Sequence, residues 1–140
     1  MGQLQMDEAE RQAFLAGLHV GVIGIERADG PPLTVPVWYD YEPGGDVTVI
    51  MGRSSVKGRL ITASGRFSLC AQTEDPPYKY VSVEGPATMR PSGDGDIRPM
   101  AKRYLGEAMG DAYADASTGE DSVVVSMTPE RWFTVDYAKR

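Results

Sequence analysis

Short apolar segments separated by turns rich in glycine and proline are the feature of this sequence that most restricts its fold. Residues 27–32 contain the pair Asp29-Gly30, a strong hairpin signal, between two such segments. Residues 42–46, which read Glu-Pro-Gly-Gly-Asp, make a second tight reversal. Strands joined by such turns pair in an antiparallel manner, and several of them around one core form a barrel or a sandwich.

The pattern predicts six or seven short strands and three helices in a single domain over residues 1–140. The strands are expected at residues 20–26, 33–41, 47–51, 66–72, 78–89, 122–127 and 131–137. The first three are expected to form a meander, since tight turns join them. Helices are expected from Asp7 to about residue 17 and at 54–64, and residues 97–114 form either one helix or two short ones. A chain of 140 residues, 41% of them hydrophobic, is large enough for one buried core.

One apolar strand runs directly into a turn that is rich in hydroxyl groups and cations. Arg53, Lys57 and Arg59 crowd the start of the next helix, where the helix dipole already places partial positive charge. Ser54 and Ser55 are good N-cap residues, and the free N–H groups of a first turn bind anions. Two interpretations fit this turn: a cradle for a phosphate group, or a solvated helix face. The spacing of a nucleotide triphosphatase loop, Gly-x4-Gly-Lys-Ser/Thr, is absent.

The overall charge and the apolar pattern exclude several classes of partner. A net charge of −6 argues against a nucleic-acid surface, which needs a basic face. No apolar run approaches the roughly 20 residues of a membrane span, so we expect a soluble, cytoplasmic protein without a membrane partner. The single cysteine, Cys70, lies in an apolar strand and is expected to be a packed thiol.

Few side chains are suited to acid–base or nucleophilic catalysis. His19 is the only histidine, and a structural role at a helix end is favoured for it. Ser-His-Asp and Cys-His schemes are therefore not indicated, and no cluster of His, Cys or carboxylate residues has metal-ligand spacing. Asp94, Asp96, Asp111 and Asp115 are interpreted as ordinary acids of loops and helix ends. Such a sequence, for which we assign no catalytic side chain, suits an enzyme whose organic cofactor carries the chemistry.

Four blocks of the sequence carry a family resemblance. They are Val35-Pro36-Val37-Trp38-Tyr39, Gly52-Arg53-Ser54-Ser55-Val56-Lys57-Gly58-Arg59-Leu60-Ile61, Gly65-Arg66-Phe67-Ser68-Leu69 and Tyr80-Val81-Ser82-Val83-Glu84-Gly85-Pro86-Ala87. Together they span nearly all of residues 18–89 and resemble the flavin-binding split-barrel superfamily that includes the pyridoxamine 5′-phosphate oxidases. The resemblance implies a mainly β fold, a split β-barrel with peripheral helices, and a homodimer with the cofactor in the groove between subunits.

Within that superfamily, the small size and the segments 36–39 and 76–80 are similar to the actinobacterial flavin/deazaflavin oxidoreductases of the B group. Members of that group mostly use coenzyme F420, an 8-hydroxy-5-deazaflavin, in place of FMN, and some reduce biliverdin. The resemblance implies hydride transfer from the reduced deazaflavin to an electron-poor small molecule, for which a biliverdin-like compound is one candidate. Residues 137–140 do not include the Arg-x-His segment that holds pyridoxal phosphate in the oxidases, so vitamin B6 oxidation is not expected.

Three alternatives stay open at the level of sequence. An FMN-dependent oxidase or reductase of the pyridoxamine 5′-phosphate oxidase type would use the same phosphate cradle. A non-enzymatic protein that binds a flavin, a deazaflavin or a haem pigment would show tight binding without turnover. A structural β-domain with a solvated turn at Lys57 would bind no cofactor.

The resemblance also implies cofactor contacts by position. The implied phosphate contacts are Arg53, Ser54, Ser55, Lys57 and Arg59, the last of which would either assist or pair with a carboxylate. The implied contacts along the tricyclic ring are Val35, Pro36, Val37 and Trp38, with Met51 nearby. Tyr78 and Tyr80 match positions that face the cofactor in the deazaflavin relatives, and Trp132 and Phe133 are expected at the dimer interface. For the aromatic positions, core or interface packing is the competing interpretation.

Overall fold

Seven antiparallel strands and four α-helices form the fold in the computed structural model, which describes residues 2–117 and 119–140. The strands are β1 (Gly21–Ile25), β2 (Leu33–Val37), β3 (Val47–Gly52), β4 (Arg66–Gln72), β5 (Lys79–Pro91), β6 (Ser122–Met127) and β7 (Arg131–Asp136). The helices are α1 (Glu8–Ala16), α2 (Val56–Ser64), α3 (Asp94–Leu105) and α4 (Glu107–Ala116), followed after β7 by a 3-10 turn at Tyr137–Lys139. The predicted mainly β fold with antiparallel pairing is confirmed.

The sheet is organised around β5, whose 13 residues belong to two parts of the fold. Its first part pairs with β4 and with β7, and β1 and β2 continue the sheet beyond β4. Its last part, from Ala87 to Pro91, pairs with β6, and β3 lies beyond β6. The strand order is therefore β2-β1-β4-β5-β6-β3, and the sheet curls into a split β-barrel.

A bulge lies where β6 gives way to β7 along β5, because the pairing register shifts by one residue between the two strands. Thr128 donates its N–H to the Pro86 carbonyl at 3.0 Å, and Glu130 donates to the Glu84 carbonyl at 2.9 Å. Between these two bonds the Thr128 carbonyl occupies the space beside Gly85, where a Cβ atom would lie 1.8 Å from the Thr128 oxygen. Glycine is therefore required at position 85 for β5 to pass through both parts of the sheet.

The predicted meander of the first three strands is wrong in its third member. β1 and β2 form the expected hairpin, but β3 pairs along its whole length with β6. A single bridge between Asp40 and Thr48 ties β3 to the segment that follows β2. That segment leaves the sheet because Tyr39 and Tyr41 turn into the core, where they are 0% and 3% exposed. The turn at residues 42–46 fixes where the chain reverses but not which strand it pairs with.

The helices begin and end close to the predicted positions. Asp7 caps α1 by accepting the Glu10 N–H at 2.8 Å, within a reciprocal capping box. The predicted segment 97–114 is two helices, α3 and α4, which meet at Gly106, and α3 begins earlier than expected, at Asp94. Among the described residues, no helix is both long and apolar enough to cross a membrane.

Ion pairs hold α3 against α4. The Arg98 guanidinium donates to Asp94, Asp111 and Asp115 over 2.7–3.0 Å. Its hydrogen bonds hold the pKa of Asp94 and of Asp111 below the usual range of a carboxyl group. Asp96 accepts from Arg90 instead, at 2.7 Å. The four acids that the sequence marked as ordinary are thus helical residues. Asp111 and Asp115 join α4 to Arg98 of α3, whereas Asp94 pairs with Arg98 inside α3.

We expect Gly85→Ala to lower the free energy of unfolding by about 3 kcal/mol, because the new methyl group collides with backbone that no side-chain rotation can move. Gly95→Ala is the matched control, since Gly95 lies in α3 with open space at its Cβ position. It should be neutral or stabilising by up to about 1 kcal/mol. Urea unfolding followed by circular dichroism measures both variants, and equal stabilities would contradict the close approach at Gly85.

Candidate functional site

A cleft of about 670 Å³ opens between the barrel and the α3–α4 hairpin. On the barrel side it is lined by residues from the end of β2, from β3, from α2 and from the start of β6, namely Pro36, Val37, Trp38, Ile50, Lys57 and Ser122. On the helical side it is lined by Ile97, Met100, Ala101 and Tyr113. Most of these side chains are apolar, so the cleft suits a ligand with a large apolar surface.

An aromatic stack fixes the position of Trp38 on the cleft wall. The rings of Trp38 and Tyr104 are parallel within 5°, with centroids 5.2 Å apart, and Tyr113 tilts against Trp38 at 5.4 Å. The Tyr104 hydroxyl donates to the His19 carbonyl at 2.6 Å and accepts the Tyr39 N–H at 3.0 Å. These bonds join α3 to the chain before β1 and after β2, so the indole is held by the fold rather than by its own rotamer preference.

Lys57 is the cation on the cleft wall. It is half-buried, and no Asp or Glu oxygen of the described residues lies within 4.0 Å of its ammonium group. Arg53 and Arg59, on either side of it in sequence, are exposed and equally without a carboxylate partner among those residues. A partly desolvated cation without a counterion favours an anionic ligand. The cleft therefore combines an apolar wall with a positive charge.

The two serines before α2 are engaged within the chain. The Ser55 hydroxyl accepts the Gly58 N–H at 3.1 Å as N-cap and donates to the Gly52 carbonyl at 2.6 Å. Ser54 donates its N–H and its hydroxyl to the two carboxylate oxygens of Asp121, at 3.0 and 3.1 Å. Part of the anion-binding capacity of this helix start is thus taken up by a carboxylate of the same chain.

Gly58 allows a close approach of the backbone within the turn. A Cβ atom at this position would lie 2.4 Å from the carbonyl oxygens of both Gly52 and Arg53. The turn between β3 and α2 therefore folds back onto the helix, and this packing directs Lys57 from the first turn of α2 to the cleft wall.

Several implied contacts lie away from the cleft of their own chain. Met51 faces the core and is 6% exposed, because strand alternation places its neighbour Ile50 on the cleft side. Val35 is half-buried against the core. Tyr78 and Tyr80 are exposed near the start of β5 and do not line the cleft.

The sequence pattern missed the helical wall of the cleft and the carboxylate beside it. Ile97, Met100 and Ala101 recur at helical spacing, which signals a buried face but not what that face covers. Tyr113 is the aromatic residue of α4 at the cleft. Asp121 lies 67 residues from the serine that it binds, so no local signal could have identified it.

The only histidine has a structural role, and the only cysteine is a half-buried thiol on β4. The His19 ring stacks on Phe14 with centroids 4.5 Å apart and donates to the Phe14 carbonyl at 3.1 Å. Burial lowers the pKa of His19, which favours the neutral ring, and burial raises the pKa of the Cys70 thiol. Neither residue lines the cleft, and the described residues contain no cluster of three potential metal ligands.

The outward face of the sheet carries a row of apolar and small side chains. Val22, Cys70, Ser82 and Phe133 are register partners across β1, β4, β5 and β7, and Phe133 is 50% exposed. Trp132 has the opposite orientation and packs against the core, so of the two aromatic residues expected at the dimer interface only Phe133 lies on this outward face, and the interface stays a prediction.

Of two comparisons with known sequences, one identifies a family and the other finds no match. The model of a family described as pyridoxamine 5′-phosphate oxidase matches residues 7–136 of the chain. No curated protein matches the chain.

Solved structures share the fold at low sequence identity. The conserved hypothetical protein Rv2991 of Mycobacterium tuberculosis has a TM-score of 0.80 and 21% identity, over 99% of this chain and 90% of that one. A protein described as an F420 reductase has a TM-score of 0.75 and 21% identity, over 87% of this chain and 94% of that one. An FAD-binding protein of Mesorhizobium loti has a TM-score of 0.69 and 20% identity, over 93% and 94% of the two chains. Likeness at these identities establishes the split-barrel fold.

Proposed function

The chain belongs to the pyridoxamine 5′-phosphate oxidase family, and from that membership we propose that it is an oxidoreductase that uses coenzyme F420 to reduce an electron-poor small molecule. The observation that carries the proposal is Lys57, a half-buried cation without a carboxylate partner among the described residues, on the same cleft wall as Trp38. A planar apolar ring system that bears a phosphate matches both features. The exposed cations Arg53 and Arg59 add positive charge for an anionic tail.

The residues of the cleft fit a cofactor of this kind. A volume of about 670 Å³ lies within the usual range of small-molecule sites. Lys57 would hold the phosphate, and Pro36, Val37 and Trp38 would lie along the ring system. Ser54 and Ser55 support this arrangement by shaping the turn through the contacts that they make within the chain.

The chain contributes position and exclusion of water rather than acid–base chemistry. When bound, the reduced deazaflavin supplies a hydride. Trp38, held by its contacts with Tyr104 and Tyr113, would provide a fixed indole on one wall, and Met100 on the helical wall would cover the opposite side of the cleft. No proton donor is assigned, because the proposed hydride transfer depends mainly on how the chain orients the cofactor and the substrate.

The choice of coenzyme F420 over FMN rests on the sequence segments 36–39 and 76–80 and on the likeness to an F420 reductase over 94% of its length. The likeness to an FAD-binding protein keeps a flavin as the competing cofactor, and FMN is the flavin that the family resemblance implies. A protein that only binds a flavin, a deazaflavin or a haem pigment is the second alternative.

Titration of the purified protein with coenzyme F420 and with FMN, followed by tryptophan fluorescence, tests the cofactor. We expect coenzyme F420 to bind at least tenfold more tightly, about 1.4 kcal/mol. Tighter binding of FMN would contradict the proposal, and binding of neither would favour a structural β-domain. Oxidation of the reduced cofactor on addition of electron-poor acceptors, with biliverdin as the first, separates an enzyme from a protein that only binds.

Lys57→Ala should weaken binding of phosphate-bearing cofactor by about 1.5–3 kcal/mol, the range for a hydrogen bond to a charged group. Riboflavin, which lacks the phosphate, should bind equally well to the variant and the parent protein. Arg59→Ala is the matched control, since it removes the same charge from the same helix outside the cleft wall, and its effect should be smaller. Unchanged affinity in Lys57→Ala would remove this residue from the site.

The proposed enzyme is a homodimer that pairs through the outward face of the sheet. The apolar row that includes Val22 and Phe133 would be covered by a second copy, which would also bring Tyr78 and Tyr80 of one subunit towards the cleft of the other. Sedimentation should give a dimer at micromolar concentration. Phe133→Asp should weaken association at least tenfold, about 1.4 kcal/mol. Met109→Asp, at an exposed position of α4 away from this face, is the control, and a cofactor-bound monomer of the parent protein would exclude the dimer.

A further inference from the structure

Asp121 fastens the turn between β3 and α2 to the start of β6. Its carboxylate oxygens accept the N–H of Ser54 at 3.0 Å and the hydroxyl of Ser54 at 3.1 Å. Its backbone carbonyl accepts the N–H of Arg53 at 2.7 Å. The next residue, Ser122, pairs with Gly52 across the sheet and lines the cleft. The carboxylate therefore lies on the turn that leads into Lys57.

The charge of Asp121 is not neutralised by an ion pair. No nitrogen of a Lys or Arg side chain in the described residues lies within 4.0 Å of it, although Arg53, Lys57 and Arg59 belong to the same turn and helix. The backbone contacts that it makes would be available to a neutral side chain as well, since Ser and Asn also accept N–H groups at helix starts. What the carboxylate adds is a negative charge on the turn that leads into Lys57, the proposed phosphate ligand.

The two candidate cofactors differ in the charge of that phosphate. FMN carries a monoester with a second pKa near 6, and hence about 1.5 to 2 negative charges at neutral pH. In coenzyme F420 the phosphate is esterified on its other side to a lactyl-glutamyl tail, and a diester carries a single charge. The carboxylates of that tail belong to its glutamyl part, beyond the lactyl unit. Repulsion by a fixed carboxylate therefore penalises the monoester more than the diester.

Resting on the proposed function, we propose that Asp121 is a specificity-determining residue that selects a cofactor with a phosphodiester over one with a phosphomonoester. Lys57 attracts both groups, and Asp121 discriminates between them by repelling the second charge. The pair thus acts as an attractive and a repulsive element on the same turn. The difference in binding free energy is modest, because the Asp121 carboxylate and the phosphate are both accessible to water, which screens their repulsion.

The test measures dissociation constants of riboflavin, FMN and coenzyme F420 for the parent protein and for Asp121→Asn, which keeps the size and one acceptor oxygen of the side chain. We expect the variant to bind FMN about threefold to tenfold more tightly, with riboflavin unchanged and coenzyme F420 improved less than FMN. Glu120→Gln is the matched control, because it removes the same charge from the adjacent exposed residue, whereas the hydrogen bonds of Ser54 go to Asp121. It should leave all three constants within about twofold.

The outcomes separate this inference from the proposed function. An equal change for FMN and riboflavin, or no change for FMN, overturns the role of Asp121. If the parent protein prefers FMN, the choice of coenzyme F420 fails, but a gain for FMN over riboflavin in Asp121→Asn still supports the repulsion. Binding of no ligand to any variant overturns both. Circular dichroism and urea unfolding check the fold, and Asp121→Ser, which keeps a capping hydroxyl, replaces Asp121→Asn should that variant unfold.

Discussion

The backbone contact between Thr128 and Gly85 is the constraint on which the rest of the fold depends. It allows β6 and β7 to follow one another along one edge of β5, so that a single strand of 13 residues takes part in both halves of the sheet. The curl that results brings β3, through its pairing with β6, to the side of the barrel where β2 ends. The cleft lies at this junction, where Pro36, Val37 and Trp38 meet the residues of β3 and α2.

The cleft joins two surfaces with different physical character. One is apolar and rigid, because the indole of Trp38 is stacked on Tyr104, whose hydroxyl is bonded to backbone on both sides. The other is charged, and within the described residues its cations lack carboxylate partners while its carboxylate, Asp121, lacks a cation. Charges that do not satisfy one another can act on a ligand, and this distinguishes the turn before α2 from the ion-paired α3–α4 hairpin.

Local sequence signals predicted the fold more completely than they predicted the candidate site. Asp7 caps its helix as expected, and the strands agree closely with the predicted segments because alternation and turn residues are local properties. The strand that pairs with β3 could not be predicted, because a turn shows where the chain reverses but not which strand it then pairs with. In the site, Pro36, Val37, Trp38 and Lys57 lie on one cleft as the resemblance implied, although their contacts with a cofactor stay a prediction. Alternation along β3 already distinguishes Met51 from Ile50, whereas the helical wall and Asp121 depend on tertiary packing.

The position of the α3–α4 hairpin in the chain has a consequence for how proteins of this shape diversify. The hairpin is inserted between β5 and β6, two strands that pair directly with each other. Residues that would hold a cofactor come from β2, β3 and α2, whereas those that cover the other side of the cleft come from the insertion. Mutation can therefore lengthen, shorten or resurface the parts of the insertion other than Tyr104 without altering a strand pairing, so that the helical wall of the cleft can change while the barrel wall stays the same.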